Sequence, residues 1–221
     1  VDACPGFGPT DAVAEQALDL ALELSVMVAR RPAGEIVVYP PAVNQHERQI
    51  LTWSVLPGEL PPAVARDAQA IASGIAESLR LVGILAVEMF LLRDGRLLVN
   101  ELAPRPHNSY HASELACPTS QFEQLVRSVC DLPLGAVEPA QPAAIYNLFG
   151  DLWLDGRSPD FARALTVPES RLFLYGKHGA RAGRKMGHLA ARGRTPAEAL
   201  QRVTAAAALL WYSVDELREL S

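Results

Sequence analysis

The dipeptide Asp94-Gly95 most constrains what this chain can fold into, because it separates two apolar runs, Ile84 to Leu92 and Leu97 to Leu102. Asp-Gly between such runs is a strong hairpin signal, since both central residues of a type I′ turn need positive φ. With these two residues at the tip, the expected antiparallel partners are Arg93 with Arg96, Leu91 with Leu98, and Glu88 with Glu101. Opposed side chains on one face stand about 4.5–5.5 Å apart at Cβ, where like charges destabilise the pair. In strands this apolar, burial adds about several kcal/mol of desolvation per ion unless a cation intervenes. A divalent metal removes the conflict, and hard Mg²⁺ suits one or two carboxylates completed by water and phosphate oxygens. A solvated sheet face or one protonated acid would also remove it, and a loop of odd length would shift the pairing.

The remaining pattern gives an α+β chain. Leu22, Leu24, Val26 and Val28 alternate with Glu23 and Ser25, the period of a half-buried strand, and Pro32-Ala33-Gly34 turns the chain into a returning strand, Glu35 to Tyr39. Residues 10–19 are expected to be a short turn or helix remnant. Helices are expected over Ala63 to Leu79 and over Ser120 to Cys130, the second with Phe122, Leu125, Val126 and Val129 as its apolar face. Three prolines between Asp131 and Pro142 mark a boundary, so the expected domains are 1–135 and 136–221. Beyond it, Ala143 to Phe149 and Arg171 to Tyr175 are expected strands, and a closing helix from Pro196 to Trp211 is capped by Thr195.

Charge narrows the function. With 20 Lys and Arg against 25 Asp and Glu, the 221 residues carry −5, which disfavours a surface built for duplex nucleic acid. Yet no acid lies between Glu169 and Glu198, where seven cations occur: Arg171, Lys177, Arg181, Arg184, Lys185, Arg192 and Arg194. The other 13 cations against 25 acids leave −12 elsewhere, so the segment suits a phosphorylated small molecule, with Gly176, Gly179, Gly183 and Gly187 allowing backbone N–H groups to approach it. An exposed basic loop and an RNA-binding strip stay open, the latter with few aromatic residues for stacking. Cys4, Cys117 and Cys130 form no CxxC pair, no apolar run reaches membrane-spanning length, and no signal-peptide pattern opens the chain, so a soluble cytoplasmic protein is expected. Donor-rich residues follow Glu101, in Arg105-Pro106-His107-Asn108-Ser109-Tyr110-His111, placed to meet the substrate of a metal held there.

These pieces, in this order, resemble the 5-(carboxyamino)imidazole ribonucleotide synthases, ATP-grasp enzymes of purine biosynthesis. The stretches that carry the resemblance are Asn100-Glu101-Leu102-Ala103-Pro104-Arg105-Pro106-His107-Asn108-Ser109, Ser120-Gln121-Phe122-Glu123, Asp131-Leu132-Pro133-Leu134 and Gly183-Arg184-Lys185-Met186-Gly187-His188. The resemblance runs from about Val13 to near Trp211 and covers the later half of the family's architecture. It implies the C-terminal part of an ATP-grasp fold, mainly antiparallel sheet with packed helices, followed by a small β-rich domain with a closing helix. It also implies a ligase: ATP activates bicarbonate as carboxyphosphate, and aminoimidazole ribonucleotide accepts the carboxyl group. Glu15, Gln16, Ala17 and Leu18 match the family's adenine hinge, Glu23 its ribose acid, and His46 another nucleotide contact. Asn100 and Glu101 match nucleotide contacts, and Glu88 with Glu101 the Mg²⁺ ligands. Arg105, His107, Asn108 and Ser109 match the substrate loop, and Lys177, Arg184 and Lys185 the ribonucleotide phosphate cradle. Arg105 is the expected stabiliser of carboxyphosphate, because a guanidinium donates bidentately to an oxyanion.

Two departures stand out. Only 14 residues precede Glu15 and no lysine precedes Lys177, so the family's first domain and its lysine-bearing, glycine-rich lobe are expected to be missing. The chain is then expected to be weakly active or inactive, with dimerisation or aggregation through uncovered sheet surface. Second, Tyr110 stands where the family has Gly, and its bulk is expected to obstruct the substrate loop. A noncatalytic nucleotide- or phosphate-binding fragment is the alternative function.

Overall fold

A computed structural model describes residues 16–154 and 159–210. Apolar residues at both alternating positions of Leu20–Arg30 make β1 a strand covered on both faces, rather than the half-buried strand its first residues suggest. Leu24, Val26 and Val28 pack under α1 (Pro62–Ser78), whose Ala68, Ala72 and Ala76 let the helix lie close to the sheet. Met27 and Ala29 face the opposite way into a core with Tyr39 and Tyr110.

β2 (Ile36–Val38) and β3 (Ala42–Glu47) both pair with β1, one with each half of it. Pro40-Pro41 separates them, since proline cannot donate to a ladder. β3 turns into β4 (Ile50–Leu56) through Arg48 and Gln49, both at positive φ, 49° and 65°. Neither residue is a turn former, so no local signal announces this hairpin.

β5 (Gly83–Leu92) pairs with β1 and with β6 (Leu97–Ala103). The tip of the β5–β6 hairpin differs from the expected two-residue turn. The Leu92 N–H donates to the Arg96 carbonyl and the Gly95 N–H to the Leu92 carbonyl, each at 2.9 Å, so the loop is Arg93, Asp94 and Gly95, with Gly95 at φ 89°. Leu91 therefore faces Leu97 and not Leu98. Asn100, opposite no residue, then bulges from β6 and shifts the register back by one, so that Glu88 does face Glu101. Two one-residue offsets cancel.

After β6 the chain forms a single 3₁₀ turn, Asn108–Tyr110, then α2 (Ser113–Ala116) and α3 (Gln121–Val129). The expected apolar face of α3 is not its buried one: Gln121, Gln124 and Ser128 are fully buried, while Val126 and Val129 are 55% and 53% exposed. Unpaired loop backbone explains the inversion. The Gln124 carboxamide accepts from the Gly135 N–H and donates to the Gly135 carbonyl, both at 3.0 Å, and Gln121 does the same for His107.

β7 (Ala143–Phe149) continues the sheet from β4, and a 3₁₀ turn at Gly150–Trp153, α4 (Phe161–Ala164), β8 (Ser170–Leu174), β9 (Lys185–Arg192) and α5 (Pro196–Ala208) complete the described residues. The sheet has nine strands among those residues, in the order β6-β5-β1-β3-β4-β7-β9-β8 with β2 beside β1, and every pairing is antiparallel. The basic segment thus contributes an interior strand, β9, and not only a loop. Gly176, Gly179 and Gly183 lie in the β8–β9 loop at φ of 64°, 71° and 68°. Gly187 has a different task from the expected anion contact: a Cβ there would stand 2.3 Å from the Phe173 carbonyl oxygen, so glycine is needed for strand packing. No helix among the described residues is long and apolar enough to cross a membrane.

Candidate active site

The bulge at Asn100 and the 3₁₀ turn after β6 bring acids, a histidine loop and part of the basic segment to one region. Burial raises the Glu88 carboxyl above its ordinary range, opposed by His46, with Glu101 and Glu23 adding to the rise and Lys185 opposing it. Glu88 Oε1 lies 3.2 Å from His107 Nε2. The other ring nitrogen, Nδ1, is 2.9 Å from Ser109 Oγ and 3.4 Å from the Ser109 backbone N. Backbone donation to Nδ1 leaves the proton on Nε2, directed at the carboxylate. Burial, then Arg105, lowers the His107 pKa to about 4, so the ring is neutral at pH 7.

Behind this pair runs a buried chain that sequence patterning missed. Asn44 Nδ2 donates to Ser25 Oγ (3.1 Å), Ser25 Oγ to Ser109 Oγ (2.9 Å), and Ser54 Oγ lies 2.8 Å from Asn44 Oδ1 and 2.9 Å from the Ser109 carbonyl oxygen. Ser25 and Ser54 read locally as ordinary strand polar residues, and only the pairing of β1, β3 and β4 makes them neighbours.

The nucleotide candidates are spread over the residues before β1, β1 itself, β3 and β6. Glu15 lies outside the described residues. Gln16, Ala17 and Leu18 border a recess of about 220 Å³ beside the β5–β6 tip. Glu23 Oε2 lies 2.7 Å from His46 Nδ1, on the wall of a second recess of about 350 Å³ that Trp53 also lines. Asn100 and Glu101 are exposed on β6, and Arg105 is exposed with Nη1 donating to the Pro106 carbonyl at 3.2 Å.

The cation candidates divide. Lys185 is half-buried; burial lowers its pKa, and the charge of Glu88 supports its protonated form. Lys177 Nζ donates to the Lys185 carbonyl at 2.7 Å and stands 5.3 Å from the Tyr175 ring centroid. Arg184 instead ties its own loop, Nη1 donating to the His178 and Gly179 carbonyls at 2.7 and 2.8 Å. A column of rings joins this segment to the substrate loop: Phe173 stacks on His188 (4.5 Å, 11°) and His188 on His111 (4.6 Å, 1°).

Tyr110 does not obstruct the loop. Its side chain is fully buried beneath it, the hydroxyl 3.0 Å from the Ser25 carbonyl oxygen and 2.8 Å from that of Pro40, with the ring edge-on to Tyr39 at 5.6 Å. The expected obstruction fails because a 3₁₀ turn directs residue 110 toward the sheet, with Ser109 buried beside it and only Asn108 of the turn left half-buried.

The donor set at Glu88 and Glu101 fits Mg²⁺ better than zinc: no group of three His, Cys, Asp or Glu converges among the described residues, whereas two carboxylates oppose each other across β5 and β6 and one of them is desolvated.

Residues 4–122 match the ATP-grasp domain family. The chain belongs to the ATP-grasp family. Its residues 143–202 match a second family, the phosphoribosylaminoimidazole carboxylase C-terminal domain. This ATP-grasp chain is 44% identical over 193 residues to an N5-carboxyaminoimidazole ribonucleotide synthase of Bacillus subtilis, which covers 87% of the chain and 50% of the relative. A crystal structure of an N5-carboxyaminoimidazole ribonucleotide synthetase with ADP superposes with a TM-score of 0.80 at 39% identity, over 87% of this chain and 50% of that one. The Aspergillus clavatus synthase in complex with ADP and 5-aminoimidazole ribonucleotide gives 0.78 at 30% identity, over 88% and 52%. The ATP-grasp chain therefore spans about half the length of the relatives it matches.

Proposed function

We propose that these residues form the metal, nucleotide and ribonucleotide half of an N5-carboxyaminoimidazole ribonucleotide synthase. The observation that carries this reading is the convergence of Glu88, opposed by Glu101, with His107 of the substrate loop and Lys185 of the basic strand. In the reaction, a bicarbonate oxygen attacks the γ-phosphorus of ATP and expels ADP, giving carboxyphosphate. The amine of aminoimidazole ribonucleotide then attacks the carboxyl carbon, expels phosphate and loses a proton, forming the N-carboxylate.

The chain's own groups do positioning and electrostatic work. Glu88 and Glu101 would hold Mg²⁺, which when bound offsets charge on the phosphates. Neutral His107 orients Glu88 by donating to one oxygen, leaving the other for the metal. Glu23, steadied by His46, accepts ribose hydroxyls, and Arg105 donates to the carboxyphosphate oxyanion. Lys185 and Lys177 stabilise the substrate phosphate.

Calorimetry of ADP binding with and without Mg²⁺ tests the reading. Wild type should show metal-dependent binding, and Glu101→Ala should lose that dependence. Binding indifferent to both metal and substitution would favour a noncatalytic phosphate-binding fragment.

A further inference from the structure

The carboxamide of Gln121 is fully buried and has one acceptable orientation. Its Oε1 accepts the His107 N–H at 2.8 Å and its Nε2 donates to the His107 carbonyl at 3.0 Å; reversed, the amide would oppose donor to donor and acceptor to acceptor. The second hydrogen on Nε2 is left for His111 Nδ1, 3.2 Å away. That nitrogen must then accept. Burial holds the His111 imidazole at a pKa of about 4, so at pH 7 it carries a single proton, which falls to Nε2. His111 Nε2 stands 3.1 Å from Asn108 Oδ1 and donates to it. Stacking on His188 and Phe122 fixes the plane of the ring that carries this relay. With Oδ1 engaged, Asn108 offers only its NH₂ group, which has no protein acceptor among the described residues.

We infer that Gln121 is a positioning residue for the substrate loop: through the tautomer of His111 it fixes Asn108 as a hydrogen-bond donor, so that Asn108 meets an acceptor oxygen of the substrate. For the identity of that substrate, the inference rests on the ribonucleotide reading above. The device explains why α3 buries a glutamine where its pattern would place an apolar side chain. It also gives His111 a task that needs no metal.

Two measurements on the full chain test it, and a brace that merely held the fold would move neither. The first is histidine ¹⁵N NMR at neutral pH. Wild-type His111 should be protonated on Nε2 and bare at Nδ1, and Gln121→Glu, which puts an acceptor where the donor stood, should bring a proton to Nδ1. Wild-type His111 protonated on Nδ1 overturns the inference. The second is calorimetry with aminoimidazole ribonucleotide, using His111→Phe, which keeps the ring stack and deletes the relay, in case Gln121→Glu does not fold. Its affinity should fall about tenfold, or about 1.4 kcal/mol. In an Asn108→Ala background the same change should cost nothing further; unchanged affinity in the single variant, or additive losses in the double, overturns the inference. Should wild type bind no ribonucleotide, the proposed function is what fails, and the His111 tautomer still decides the relay.

Discussion

Replacing Tyr110 separates a core residue from an intruder in the substrate loop. Tyr110→Phe keeps the edge-on contact with Tyr39 and removes only the hydroxyl, whose single hydrogen is shared between the Ser25 and Pro40 carbonyls. Loss of a buried hydrogen bond with its acceptor left in place costs about 1–2 kcal/mol. For a chain of this size that lowers the melting temperature by about 2–8 °C. Tyr110→Gly removes a fully buried ring from the core it shares with Met27 and Tyr39. Aromatic truncation of this kind costs about 3–5 kcal/mol, and glycine adds about 0.5–1 kcal/mol of backbone entropy. That is a large part of the roughly 5–15 kcal/mol available to a folded domain. Urea unfolding followed by fluorescence gives both values, with midpoints shifting at constant slope. If Tyr110→Gly is as stable as wild type and binds aminoimidazole ribonucleotide more tightly, the burial argument is wrong and the side chain does crowd the loop.

Stability should also fall in acid. Burial lowers His111 to about 4 and His188 to about 3, below the ordinary histidine value, so the unfolded chain binds protons that the folded chain refuses. Their contribution is fully present above about pH 6.5 and declines as pH falls toward those folded values, at about 1.4 kcal/mol per pH unit for each ring. Urea midpoints across pH 7 to 4.5 check this, and His188→Phe should flatten the profile. Glu88→Gln should raise the melting temperature of the metal-free protein at pH 7, because the Glu88 carboxyl is held above its ordinary range and its charged form is the disfavoured one when folded. The same variant should lose Mg²⁺-dependent nucleotide binding; an unchanged or lower melting temperature would contradict the desolvation assigned to Glu88.

The sequence by itself determined the local elements and the chemistry available to them. Asp94-Gly95, the alternation in β1 and the Thr195 cap are all short-range signals, and each produced its element where expected. Tertiary structure decided what short-range signals cannot encode. The pairing of Glu88 with Glu101 survives only because a three-residue loop and a bulge at Asn100 offset each other, and bulges are set by the strands on either side. The Arg48-Gln49 turn, the inverted face of α3 and the inward turn of Tyr110 answer to distant partners: a neighbouring strand, unpaired backbone at His107 and Gly135, and carbonyls at Ser25 and Pro40. Periodicity reports which face of an element is apolar. Which face is buried also depends on where unsatisfied polar groups lie in space, because leaving one without a partner costs as much as burying a methyl group gains.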